Sequence, residues 1–230
     1  MKFFCYPSHI VDRIGKLKPS FPPRLIEVLD STPFGHFFHL EANTRITKKI
    51  VMDLLSCFNI DRNAFLVDGE EFYFSGEEAS LILGLPFTGN EINISMEGRS
   101  IELREKYCTK NGPCRSTRDT FFVVAGQAIE SGEIEDAARL LLMFLFSMFL
   151  FSAANASTPP ALFSYVTDLP ALWSYKWGEE VYRYLFAGIR RALLAYQSGR
   201  TSVSLNGCCF LLMVSCLLIT VLYLLVYICF

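Results

Sequence analysis

The chain has 230 residues, 52% of them hydrophobic, with a formal net charge of −2 and a pI near 6.0. That length buries a proper core without disulfide or metal staples. The near balance of charge supplies no basic field for a nonspecific grip on nucleic acid.

The first residues, MKFFCYPSHIVDR, hold an apolar patch broken by Pro7 and Asp12, too short for a signal-peptide core, so a cytosolic N-terminus is expected. FPPRLIEVLDSTPFGHFF predicts a short helix begun at the prolines and stopped by the turn residues from Ser31 to Gly35. Ile46, Ile50, Val51, Leu54, Leu55 and Phe58 then recur at the three-to-four spacing of one buried helical stripe, with Thr44 placed as its cap. In NAFLVDGEEFYF the pair Asp68-Gly69 separates two apolar runs and predicts a tight hairpin of two short strands. Ser75 and Glu78 form a capping box, Gly84 supplies a left-handed stop and Pro86 forbids continuation, so a short helix has both ends written in. FTGNEINISMEG reads as loop, and residues 99–118 as an exposed connection or a short helix plus turn.

The run Leu140 to Phe151 carries no charge but covers only twelve residues, with Arg139 at its edge and Glu133, Glu135 and Asp136 in the first turn. A central helix, apolar on nearly all sides and ended by Asn155 to Pro160, fits better than a membrane span. A linking stretch leads to an amphipathic helix with Val181, Leu185, Ile189, Ala192, Leu193 and Tyr196 on one face and a Glu179–Arg183 pair opposite. Trp173 and Trp177 are expected to close the core beside that helix, and Gly84 and Gly89 to hold backbone shapes that strain other residues.

No chemical signature emerges. His36 and His39 share a turn, but a zinc site needs two further ligands; Cys108 and Cys114 flank Gly112-Pro113 and read as reduced thiols on a loop. Eight cysteines (Cys5, Cys57, Cys108, Cys114, Cys208, Cys209, Cys216 and Cys229) form no CxxC pair, which predicts free thiols in a reducing compartment. Gly-Glu-Glu triplets begin at Gly69, Gly76 and Gly178, one in a turn and two at helix starts, where acids are common for structural reasons. Phosphate-binding, dinucleotide and zincin motifs are absent, and the aromatics interleave with Leu and Met rather than Lys and Arg. The sequence therefore assigns no catalytic, cofactor-binding or metal residues and no cofactor, and leaves nucleic-acid contact open.

The order PFGHFF, FYFSGEEASLILGLPFTGNEI, ARLLLMFLFSMFLFSAA, LFSYVTDLPALWSYKWGEEVYRYLFAGIRRAL and VSLNGCCFLL resembles the plant mobile domain, a transposon-derived, aminotransferase-like module also found in maintenance-of-meristems-like proteins and fused to Ulp-type proteases. Its most specific pieces are Leu83 to Gly89, Trp173 to Tyr182 and Leu205 to Cys208. The resemblance implies a mainly α, bundle-like, non-enzymatic domain with one short hairpin, a nuclear location, links to transposable elements or gene silencing, and protein partners that include a phosphatase-like one. A remnant of a protease fusion lacking its catalytic domain is a further reading.

The expected organisation is an N-terminal segment over 1–20, the helical domain over 21–206, and an apolar C-terminal helix over 207–230. That last stretch departs from the family pattern by staying uncharged to Phe230. As one helix it spans about 36 Å, enough for a hydrocarbon core of about 30 Å, and a tail anchor with a cytosolic head is the alternative to read-through into unrelated sequence. If 207–213 pack on the body instead, about 25 Å remains.

Overall fold

Proline opens the first two helices of this computed structural model, which describes residues 1–41, 45–95, 102–108, 118–155 and 158–217. Strand β1 (Lys2–Phe3) leads into α1 (Pro7–Leu17), which buries Ile10 and Ile14, and α2 (Pro23–Asp30) buries Leu25 and Leu29. A missing N–H costs nothing in a first turn, where that donor has no partner anyway. A 3-10 turn (Gly35–His39) then carries Phe37 and Phe38 inward.

Helix α3 (Lys48–Ser56) precedes a three-stranded antiparallel sheet of β2 (Phe58–Asn59), β3 (Ala64–Val67) and β4 (Glu70–Phe72). Phe65 on the middle strand faces Phe58 on one side and Phe72 on the other. Asp68 (φ 50°) and Gly69 (φ 89°) both take positive φ, as a hairpin turn matched to strand twist requires. Helix α4 (Gly76–Leu83) carries both bonds of the capping box and ends on Gly84 at φ 64°. Ser75→Ala is accordingly expected to lower stability by about 1 kcal/mol in a urea titration.

The second half consists of α5 (Glu102–Cys108), α6 (Arg118–Glu130), α7 (Ile134–Leu145), α8 (Leu162–Val166), α9 (Trp177–Gln197), β5 (Ser204–Leu205) and α10 over 209–217. Helix α7 runs on into one π turn (Phe146–Leu150), closed by Phe151 N–H donating to the Phe146 carbonyl at 2.8 Å. Every residue from Ala137 to Phe151 except Arg139 is buried, and α2, α6 and α8 all pack against α7. Trp177 is fully buried among the rings of Phe34, Phe146, Phe151, Tyr165 and Tyr175, and its indole N–H donates to the Leu172 carbonyl.

Strand β5 lies parallel to β1, pairing Lys2 with Ser204 and Phe3 with Leu205, so the two ends of the described chain meet. Residues of 1–20 and of 208–213 both enter the core: Ile10 and Ile14 from the first, Cys208, Cys209, Leu211 and Leu212 from the second. Among the described residues, which end at Leu217, no helix is long and apolar enough to cross a membrane.

The mainly α expectation, the hairpin and the special glycines hold, with Gly89 at φ 122°. Several details differ. Helix α3 starts at Lys48 behind Thr47, whose side chain makes no capping bond; the expected cap, Thr44, lies outside the described residues. Trp173 does not close the core but stands 54% exposed, held by an indole bond to the Ser31 carbonyl; the neighbouring Leu172 is buried in its place. Tyr196 is also exposed, at the end of α9, where Leu193 and Ala195 are the last to pack against the core. Helix α1 is legible in Pro7 at its first position and Ile10 and Ile14 one turn apart, although the stretch reads first as a broken apolar patch; α6 carries no strong signal, being rich in Phe and Val, poor helix formers whose burial stabilises the helix.

Candidate functional site

The three stretches most specific to the family resemblance meet on α9. Gly89 lies against residue 174 so closely that a Cβ there would sit 2.3 Å from the Ser174 carbonyl oxygen. Its neighbour Asn90 donates N–H to that same oxygen at 2.6 Å, Lys176 donates to the Asn90 carbonyl, and Gly178 to the Pro86 carbonyl. Backbone thus joins Leu83–Gly89 to Trp173–Tyr182. The starts of α4 and α9 cross through paired glycines: a Cβ on Gly178 would lie 2.6 Å from Ser80 Cα, and one on Gly76 2.9 Å from Glu179 Cα. At the far side Gly207 (φ 106°) presses on Leu185 and Gly188 on the Asn206 carbonyl, while Ser152 Oγ donates to the Gly207 carbonyl.

The residues that sequence reasoning weighed for chemistry are dispersed, and most have structural partners. His36 Nε2 bonds the Leu83 carbonyl at 2.9 Å beside Gly84, and half-burial lowers its pKa. His39 instead faces solvent and pairs with Asp30 at 2.7 Å, so the two histidines do not converge. Glu71 is bound by Arg62 and Tyr73, Glu78 closes the capping box, and Glu179 pairs with Arg183. Cys114 and the side chain of Cys108 lie outside the described residues, as does Cys229. Cys5, Cys57, Cys208 and Cys209 are free thiols, and burial pushes those of Cys208 and Cys209 well up. Among the described residues no group of three His, Cys, Asp or Glu side chains is placed to hold a metal ion.

One carboxyl stands apart. Glu180, in the third triplet, is only 5% exposed at the start of α9, and it lines a cavity of about 760 Å³ between that helix and the segment 91–95. Burial pushes its pKa up to about 7, against the pull of Arg183, with Glu91 and Glu179 adding to the rise. Glu91 reaches over from the facing segment to Lys176 (3.0 Å) and Arg183, which hold its own carboxyl below the usual range. Glu180, Arg183, Tyr184, Ala187 and Arg191 form one stripe along α9, so a polar stripe beside an apolar one was the signal available in the sequence.

A family model described as a domain of unknown function (DUF8566) matches residues 5–213. No curated protein and no solved structure matches the chain.

Proposed function

We propose that this chain, which belongs to the DUF8566 family, is a non-enzymatic interaction module of the plant-mobile-domain type. The observation that carries the reading is the placement of the resemblance residues. Leu83–Gly89, Trp173–Tyr182 and Leu205–Cys208 are joints where backbone meets backbone around α9, so they preserve a shape rather than align reacting groups. At the first of these joints Leu81, Phe87 and Trp173 remain more than half exposed, and aromatic side chains of this kind anchor protein interfaces. A link to transposable elements or gene silencing, a nuclear location and a phosphatase-like partner belong to the same proposal through the resemblance.

Affinity purification of the tagged full chain from its source cells tests it. Phe87→Ser combined with Trp173→Ser is expected to strip a defined set of partners while leaving the thermal midpoint within a few degrees, since both side chains are exposed. An unchanged partner set in the double variant, or a hydrolase activity abolished at Cys108 or His36, would overturn the reading.

The alternative of a tail-anchored protein with this head rests on residues 214–230, seventeen without a charge. Packing on the body continues past Met213, with Ser215 buried and Cys216 against the core, so less than the about 25 Å of 214–230 would remain for a span, below the usual lower limit. Carbonate extraction separates the readings: an anchored chain stays in the membrane pellet and leaves it when 214–230 are deleted, whereas an interaction module without an anchor is released in both forms.

A further inference from the structure

Among the described residues, the walls of the cavity beside α9 leave one cation without a carboxylate and one buried carboxyl with a single long ion pair. Arg183 is held by Glu91 from the facing segment and by Glu179 and Glu180 from its own helix. Arg191 has no carboxylate partner among the described residues; its Nε donates to the Ala187 carbonyl at 3.1 Å. That bond draws the guanidinium back one turn toward Glu180, the direction in which helical side chains lean. Its charge reaches the Tyr184 hydroxyl. Glu180 itself meets Arg183 Nε only at 3.4 Å, with its side chain 7% exposed. From Glu180 to Ala187 the helix rises about 10 Å, so a molecule touching both ends must be extended.

We propose that this cavity binds an elongated, hydroxyl-rich small anion, with its phosphate or carboxylate on Arg191 and its hydroxyls on Glu180 and Tyr184. A cavity of about 760 Å³ with a few convergent polar groups between apolar surfaces such as Ile94 and Ala187 has the form of a small-molecule site. Neither Phe87 nor Trp173 of the interaction surface lines this cavity. Protonated, Glu180 donates to a ligand oxygen; ionised, it repels the anion, as do Glu91 from the facing segment and Glu179 from the same helix, with Arg183 opposing them. Affinity therefore falls as pH rises through about 7.

Calorimetric titration of the full chain with glucose 6-phosphate, gluconate and neutral glucose tests the site and separates the phosphate from the carboxylate class. Saturable binding of at least one anion is expected, with none of glucose at the same concentration. Arg191→Gln, an exposed position, weakens that binding roughly tenfold. Between pH 6 and 8 the wild-type affinity falls relative to that of Glu180→Gln, a ratio that cancels the ligand's own titration. Failure of both anions to saturate, binding of glucose as tight as theirs, an Arg191→Gln variant that binds like the wild type, or a pH-independent ratio would each overturn the proposal.

Discussion

Replacing Gly178 with alanine is expected to destabilise the protein by about 3 kcal/mol, whereas the same change at Gly15 is expected to stabilise it by about 0.5–1 kcal/mol. Both glycines are helical, and alanine is the better helix former by about 1 kcal/mol, so propensity alone predicts a gain at both. Packing separates them. A Cβ on Gly15 meets nothing within 4 Å, while one on Gly178 would sit 2.6 Å from both Cα and Cβ of Ser80, distances real Cβ atoms do not reach. Helices α4 and α9 would have to part, and the crossing is reciprocal, because Gly76 presses on Glu179 at the same place. Ser80 cannot swing aside, since it is buried with its hydroxyl donating to the Gly76 carbonyl at 2.7 Å. Guanidinium titrations of the two variants check this through shifts of the midpoint in opposite directions at constant slope. Equal shifts in the same direction would mean that the crossing is looser than these distances state.

Such joints explain what the sequence disclosed and what it withheld. The capping box at Ser75 and Glu78, the stop at Gly84 and the Asp68-Gly69 turn are legible because their hydrogen bonds and dihedrals are settled within a few residues. The central helix is legible because a core segment is apolar all round. The pairing of Lys2–Phe3 with Ser204–Leu205 is not, since two-residue strands at opposite ends of a chain leave no periodicity to read. Gly178 and Gly207 look like ordinary loop or cap glycines until the backbone that touches them is known. Trp173 and Trp177 share one short motif, yet one is exposed and the other fully buried, because the turn at Pro170–Ser174 points them apart. Glu180 was hidden for a related reason: it resembles any acid in a first helical turn until the segment 91–95, fixed through Asn90 on Ser174, is seen to face it.

Glu180→Gln is expected to raise stability at pH 8 by about 1–3 kcal/mol and to leave it nearly unchanged at pH 4.5. The folded protein holds this carboxyl at about 7, above its ordinary value of 4.5, chiefly because burial strips water from the charged form. Between those two values the unfolded chain has released a proton that the native state still binds, so wild-type stability declines across the interval and the whole penalty is present above it. Glutamine keeps the volume and the hydrogen-bonding capacity of the protonated acid and never ionises. Arg183, at 3.4 Å, favours the ionised carboxylate, and its pull is already contained in the value of about 7. Denaturant titrations of both proteins from pH 4.5 to 8.5 therefore give curves that coincide in acid and separate through neutrality. Parallel curves over the whole range would show that Glu180 titrates like a solvated side chain, and the pH arm of the ligand site would fall with it. A gap without anion binding would leave a buried acid and no site.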